Sequence, residues 1–475
     1  MGKRHDIDKA VRNVKNWADR SEWSDELSIV FDAHFAAVRE HVDVTPEEFH
    51  QNIVESDYGG MLFGIVFEDF LSRNLSPSNK NIIDDYLARR GWRESVVGRR
   101  YLQQLRNSVL SLYEVIQVSP GKHCELTDLV RGGKAIRVHE NVGTLNMVKW
   151  DRIAARVLNT NGKYTFSGGI LPFPREASQE LLGVLMKSRK QFRRRRSRRA
   201  GTNPKANPAS PASPDDVFLR DACPAFTAIW LVHILEQIQA PLPEIVNRDG
   251  ASLVFCETRF SFLTEKAADI AAQLDAAAEW ERSGPQVDAW IWLPEPSAIY
   301  EKPPGGMAFD TSLEGQRPIS GTLELNPGVL TLLTNSLERA ERGTDLLREL
   351  LDNLIGPALS MLQTPDQLMA DKTQQGPDRK REPTDTIDPK IEAEIVHNTL
   401  DQHYRQCLDE PIPALGNKTR RQSARSKTGR QKVIEWLKYL ENNELHRAAE
   451  AGQEPYDSSW MWHELKLTSP ADVSE

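Results

Sequence analysis

The chain has 475 residues, of which 39% are hydrophobic and 27% charged, and carries a formal net charge of −8. A length of this order implies about three domains, each able to bury a core, and the acidic balance excludes a general nucleic-acid coat, which would be basic throughout. Its four cysteines, Cys124, Cys223, Cys256 and Cys407, are far apart with no CxxC pair, a pattern of isolated reduced thiols acting as small buried residues.

The first residues, Met1 to Asp6, lead into polar sequence without the apolar core of an export signal. Asp6 stands where a myristoylation signal wants Ser or Thr. No run approaches the roughly 18 apolar residues of a membrane span. The most apolar stretch, Gly59 to Phe70, is cut short by Glu68 and Asp69. A cytoplasmic protein with no membrane partner is expected.

Residues 1–112 read as a helical domain. Ile29, Val30, Phe31, Phe35 and Val38 recur near the helical period. Thr45-Pro46-Glu47-Glu48 is a helix start, with Thr as cap, Pro in the first turn and acids at the positive end of the dipole. Ser76 to Asn79 breaks the pattern, and Tyr86 to Tyr113 resumes it. Residues 113–187 read as a small β-rich domain. Leu112–Val118, Glu125–Val130, Ala135–His139, Ile153–Leu158 and Tyr164–Ile170 are strand candidates separated by turns such as Pro120-Gly121 and Arg131-Gly132-Gly133, which suggests a small antiparallel barrel or curled sheet. A helix over Glu176–Lys190 closes this part.

Residues 188–216 read as a basic, Pro-rich and disordered linker. Residues 217–363 read as an α+β domain. Its helices are expected at Ala222–Ile238, Glu265–Trp280 and Ser336–Leu350, its strands at Ser252–Phe262 and Ala289–Leu293, and a hairpin turns at Asn326-Pro327-Gly328. Residues 364–389 are a second polar linker, and 390–475 a helical domain beginning with Ile391–Cys407. The expected fold is therefore a multidomain α+β protein.

Few residues point to catalysis. His397 and His403 are six apart and diverge on a helix, so they and Cys407 do not make a zinc site. Glu68-Asp69 and Asp84-Asp85 are adjacent, diverge by about 100° on a helix, and read as solvated faces. The paired glycines match neither a phosphate loop nor a nucleotide fingerprint, and there is no GxSxG elbow. No catalytic residue, metal ligand or cofactor is assigned, and a non-enzymatic protein is favoured over a hydrolase.

Two basic segments stand out. Lys187 to Arg199 holds nine basic residues and no acid: Lys187, Arg189, Lys190, Arg193, Arg194, Arg195, Arg196, Arg198 and Arg199. Each could neutralise a phosphate and release counterions, so nucleic acid is a possible partner. Asn417 to Lys432 holds seven more, again without an acid. The end of the chain gathers Tyr456, Trp460 and Trp462, either an interface or the cap of the C-terminal core.

Pro411-Ile412-Pro413-Ala414-Leu415-Gly416-Asn417-Lys418-Thr419, then Thr428-Gly429-Arg430, Val433 and Leu437, resembles the toxin-binding domain of Xre/MbcA/ParS antitoxins. That family shows a Pro-x-Pro-x-Leu-Gly-Gly-x-Thr-Pro turn, a short helix, a Thr-x-x-Gly step and a final helix. Asn417 replaces the second glycine and Arg420 the proline; Asn tolerates positive φ, so the turn should survive. The resemblance implies a protein partner such as a toxin enzyme. It would dock on Leu415, Gly416, Thr419, Gly429, Val433, Trp436 and Leu437, and be steered by Arg420, Arg421, Arg425 and Arg430. Ser111–Val115, Gly321–Arg342 with its Thr-Asn-Ser-x-x-Arg-Ala-Glu-Arg run, and Tyr456–Leu465 resemble uncharacterised bacterial proteins that can carry a zinc-binding SEC-C motif. The cysteines of that motif are missing here. The leading expectation is an interaction or regulatory protein, and the alternative a nucleic-acid-associated factor, for example in phage defence.

Overall fold

A computed structural model describes residues 2–75, 79–160, 162–202, 213–240, 245–247, 249–284, 287–293, 307–309, 319–363, 397, 400–401 and 403–469. The fold is multidomain α+β, with helices at both ends and sheets between them. The chain forms two compact units, residues 1–239 with 387–475, and residues 240–386.

The first unit opens with six helices: α1 (Gly2–Ala18), α2 (Ser21–His41), α3 (Pro46–Phe49), α4 (Asp57–Ser72), α5 (Ile82–Arg90) and α6 (Val96–Asn107). Thr45 caps α3 as expected: its hydroxyl takes the Glu48 N–H while the Glu48 carboxylate takes the Thr45 N–H. The helical stretch expected over Tyr86–Tyr113 is interrupted instead. Asn81 and Ser95 cap two separate helices, and residues 110–113 are already strand.

Five strands then close into a barrel in the order β1-β2-β3-β5-β4. They are β1 (Leu110–Ser119), β2 (His123–Asp128), β3 (Ile136–His139), β4 (Arg152–Thr160) and β5 (Lys163–Phe173). All the pairings are antiparallel except β3 with β5. Alternation sorts the side chains. Tyr113 and Val115 of β1 and Ile153 and Ala155 of β4 fill the interior with Cys124, Leu126, Val138 and Phe166. Leu110, Leu112 and Ala154 face outward, yet are buried against helices. The outer face of this barrel is therefore a second core, and the charged residues on that face, Glu114, Arg152 and Arg156, are buried with it.

After the barrel come α7 (Arg175–Thr202), α8 (Pro214–Asp221) and α9 (Cys223–Gln239). Two expectations are corrected here. The basic run is not a linker: the helix expected to end at Lys190 continues to Thr202. Arginine and lysine are good helix formers, and this stretch is pinned from the side. Asp215 pairs with both Arg189 and Arg193, and Phe192 packs on Phe218 at 5.7 Å. Ser213 and Pro214, assigned to the linker, cap and start α8. Second, α9 does not belong with the central sheet. Its Phe226, Trp230 and Leu231 join the core that holds Leu112, Phe173 and Leu181.

The second unit contains a two-stranded parallel sheet, β6 (Ile245–Asn247) with β10 (Met307–Phe309), and a six-stranded antiparallel sheet. The larger sheet runs β13-β7-β12-β11-β9-β8, from β7 (Phe255–Ser261), β8 (Trp280–Arg282), β9 (Ala289–Trp292), β11 (Gly321–Asn326), β12 (Val329–Thr334) and β13 (Ala358–Gln363). Helices α10 (Ala267–Ala276) and α11 (Leu337–Leu351) supply Ile270, Leu274 and Leu347 to its core with Trp290 and Trp292. The expected hairpin forms at Pro327-Gly328, where Gly328 takes φ 80°. The Thr334-to-Arg342 run is a strand-to-helix joint. Ser336 caps α11, and the buried Arg339 binds Asp249 at 2.7 Å and the Ile319 carbonyl.

The linker expected at 364–389 and the start of the helix expected from Ile391 lie outside the described residues, as do Ser76, Pro77 and Ser78. Helix is present at 403–409, followed by α12 (Arg420–Ser423), α13 (Lys427–Ala451) and α14 (Trp460–Glu464). Among the described residues no single helix is long and apolar enough to cross a membrane.

Candidate functional site

The antitoxin-like turn has the backbone that its sequence requires. Leu415 ends a short helical turn, Gly416 follows at φ 70° and Asn417 at φ 56°. Two successive left-handed residues suit Gly and Asn, the pair least penalised there. Thr419 then caps α12 reciprocally with Gln422. Gly429 sits in the first turn of α13, where a Cβ would lie 2.3 Å from the Ser423 carbonyl oxygen, so only glycine fits at this step, which here reads Ser426-Lys427-Thr428-Gly429. Arg420, in place of proline, donates to the Cys407 carbonyl at 2.6 Å and stacks on Trp436 at 4.1 Å.

The residues meant for a partner are not all available to one. Val433 and Leu437 are buried, packed with Trp150, Leu408, Leu440, Met461 and Trp462. This corrects their reading as a docking face: the apolar stripe of α13 is covered by this chain. Trp436 is half-buried under Arg420, and Arg421 pairs with Asp409 and Glu464. Gly416, Arg425 and Arg430 remain exposed, and Leu415 and Thr419 partly so. Tyr456, Trp460 and Trp462 complete the C-terminal core: Trp462 donates to Glu441, and Trp460 to the Tyr456 hydroxyl.

A second face of α13 lies on the barrel through polar contacts. Lys438 binds Glu114 at 2.5 Å, and Glu435 binds Arg152 at 2.5 Å and Arg175 at 2.8 Å. Glu441 accepts the Trp150 indole N–H at 2.5 Å, and Asn442 and His446 reach Asp151 at 2.8 Å. Residues 435, 438, 442 and 446 follow the three- and four-residue spacing that aligns side chains on one helical face.

Helix α7 presents the other predicted site. Lys187, Lys190, Arg194 and Arg198 recur at the same spacing and are exposed. Lys187, Lys190, Arg194, Arg195 and Arg196 have no ion-pair partner among the described residues. Arg189 and Arg193 do not share this freedom, since Asp215 holds them, and its pKa is lowered chiefly by the Arg189 hydrogen bond. Arg199 falls within the helix, with its side chain outside the described residues.

One constellation was missed in the sequence. Glu68 and Asp69, read as solvated, are buried where α2, α4, α9 and β4 meet. Asp69 accepts from Arg73 Nε at 2.5 Å, Arg156 at 3.2 Å and His34 Nε2 at 3.1 Å. Glu68 accepts from Ser167 at 2.7 Å and the Gly169 N–H at 3.3 Å. Burial alone would raise the Asp69 pKa, but His34, Arg156 and Arg73 together hold it below the usual value. For Glu68 burial wins over Arg156, and its pKa is raised.

Cys223 lies in the same cluster, and its thiol, that imidazole and the Asp69 carboxylate all lie within 4.8 Å of one another. The arrangement is not poised for chemistry. His34 Nδ1 lies 2.6 Å from the Thr227 hydroxyl and Nε2 faces the Asp69 carboxylate, so both ring nitrogens are engaged by neighbours other than the Cys223 thiol. Burial, then Asp69, raise the thiol pKa well above its ordinary value. Two guanidinium groups on Asp69 also oppose a dication. The cluster reads as an ion-paired core. The acidic half of it carried a signal: a Glu-Asp pair inside the most apolar stretch of the chain.

Residues 66–200 match a family of unknown function (DUF7986). The match takes in the end of α4 with Glu68 and Asp69, α5, α6, the whole barrel and the basic part of α7. No curated protein matches the chain.

Proposed function

We propose that this protein acts by binding, as a nucleic-acid-associated regulatory factor whose helix α7 lies along a phosphate backbone. The observation that carries this reading is the exposed cationic face of Lys187, Lys190, Arg194 and Arg198, the first three without an ion-pair partner among the described residues, on a helix fixed from behind by Asp215 and Phe218. At 1.5 Å per residue the face is about 16 Å long, enough to meet several phosphates. Holding the cations on a pinned helix avoids much of the ordering cost that a flexible basic tail would incur on binding. The net charge of −8 disfavours coating.

The test is the salt dependence of binding to a duplex. Changing Lys187, Lys190, Arg194 and Arg195 together to Gln should flatten the plot of log affinity against log salt, by about 0.9 for each phosphate that is no longer neutralised. It should weaken all sequences alike, since backbone contacts carry no base information. Equal affinity and slope for variant and parent would sink the reading.

A second reading is supported by the formed turn at Gly416-Asn417 and the exposed Arg425 and Arg430: the C-terminal module holds a protein partner, such as a toxin enzyme, by this edge. Capture of one defined protein by the full chain, abolished on changing Asn417 to Pro and Arg425 to Glu, is the expected result. Capture indifferent to both changes would remove this edge as the site.

A further inference from the structure

Between the barrel end, α9 and α13 the first unit holds a cleft of about 650 Å³. Neither basic surface uses it. Its walls are apolar and aromatic, with Met147, Ile153, Phe173, Trp230 and Ile234 among them, and its volume lies in the range of small-molecule sites, roughly 300–1,000 Å³. Arg175, the first residue of α7, sits on its lining. One terminal nitrogen of that guanidinium binds Glu435 at 2.8 Å, while the other is buried without a hydrogen-bond partner. A buried donor left unmade carries a desolvation penalty, and a ligand oxygen would remove it.

We infer that this cleft binds a small organic anion, a carboxylate on a flat apolar body, with the carboxylate on Arg175 and the body against Phe173 and Trp230. The other charges around the cleft are engaged. Arg152 binds Glu114 and Glu435, and Asp151 binds His446, Asn442 and the Val148 N–H. Glu176 lies on the exposed rim. Burial, followed by the neighbouring Arg152, depresses the Arg175 pKa against the opposing pull of Glu435, Glu114 and Glu176. Asn442, Asn443 and His446 of α13 line the same cleft, so a bound ligand would tie the barrel to the C-terminal module.

The experiment uses the full chain, with naphthoate and its neutral amide as probes, and reads saturable binding by calorimetry and ligand-observed NMR. Naphthoate should bind one site at least about tenfold more tightly than the amide, the usual advantage of a charge-assisted pair. Arg175→Gln should abolish that preference while leaving amide binding in place. Ile234→Trp, which fills the cleft without touching a charge, should weaken both probes. Equal affinities for acid and amide, an unchanged preference in Arg175→Gln, or binding indifferent to Ile234→Trp would each overturn the assignment, as would absence of saturable naphthoate binding. Melting curves identify a variant that fails to fold; should Arg175→Gln do so, the acid-to-amide ratio in the parent and the Ile234→Trp result decide.

Discussion

Asp69→Ala will destabilise the first unit by about 3–5 kcal/mol, the cost of breaking a buried ion pair from one side. The carboxylate is fully buried and is shared by Arg73, Arg156 and His34. Removing it leaves the Arg156 guanidinium, itself fully buried, without its nearest counter-charge. The pH dependence follows from the directions of the shifts. The Asp69 pKa is lowered in the fold, so its stabilisation is present above the unfolded value of about 3.9 and is lost as pH falls through the folded value. The Glu68 pKa is raised, so ionising that group opposes folding, and the penalty grows from the unfolded value up to the folded one. The neighbours therefore pull in opposite directions. Glu68→Gln should be neutral or stabilising near neutral pH, whereas Asp69→Ala should remove the low-pH loss that Asp69 supplies. Urea unfolding at several pH values measures both, with the transition of the second unit as internal reference. An Asp69→Ala change within about 1 kcal/mol of the parent, the ordinary cost of a surface mutation or less, would contradict the ion-paired core.

The same cluster explains where the sequence was legible and where it was not. The barrel strands could be read because turn glycines such as Gly121 and Gly132 separate short β-prone runs, and local chemistry decides both. The left-handed step at Asn417 was readable for the same reason. Burial of Arg152 and Arg156 was not readable. Alternation places them on the outer face of β4, and nothing within the strand tells that helices cover that face. Val433 and Leu437 failed in the complementary way. An apolar stripe on α13 announces that something covers it, and the sequence does not say whether the cover is a partner or the chain's own Trp150 and Trp462. The basic run was mistaken for a linker because its composition matched disorder. The clamp that stiffens it, Asp215, stands across a proline-rich stretch whose path the sequence does not trace.

Helix α13 links these readings. One face closes the C-terminal core, another rests on the barrel, and its last turns line the cleft. The binding surface proposed for α7 begins at Lys187, and the cleft lies at the start of the same helix, where Arg175 meets Glu435 of α13. A change in how α13 sits would thus reach Arg175 directly, through one hydrogen-bonded pair rather than through a long series of intervening side chains.

Trp150 is where that seating can be broken, and its variants should rank in an unusual order. It is buried at 1% exposure with φ 71°, a left-handed conformation that a bulky residue rarely adopts. Its indole donates to Glu441, Trp462 lies 6.4 Å from its ring, and Lys149 and Lys438 sit over it at 4.8 and 4.7 Å. Strain of about 1–3 kcal/mol is held there by that packing. Trp150→Ala removes the packing and keeps a Cβ in the strained conformation, so it should cost about 3–5 kcal/mol. Trp150→Gly removes the same packing but relieves the backbone, so it should be less damaging than alanine by about 1 kcal/mol. Elsewhere in a strand or helix glycine is the worse of the two. Both variants should expose the arginines and lysines of α13 to trypsin sooner than in the parent, because the helix loses its anchor on the barrel. Chemical denaturation gives the ranking and limited proteolysis locates the opening. If glycine proves less stable than alanine, the backbone at Trp150 is not strained; if cleavage in α13 is no faster, the helix does not depend on this residue for its place.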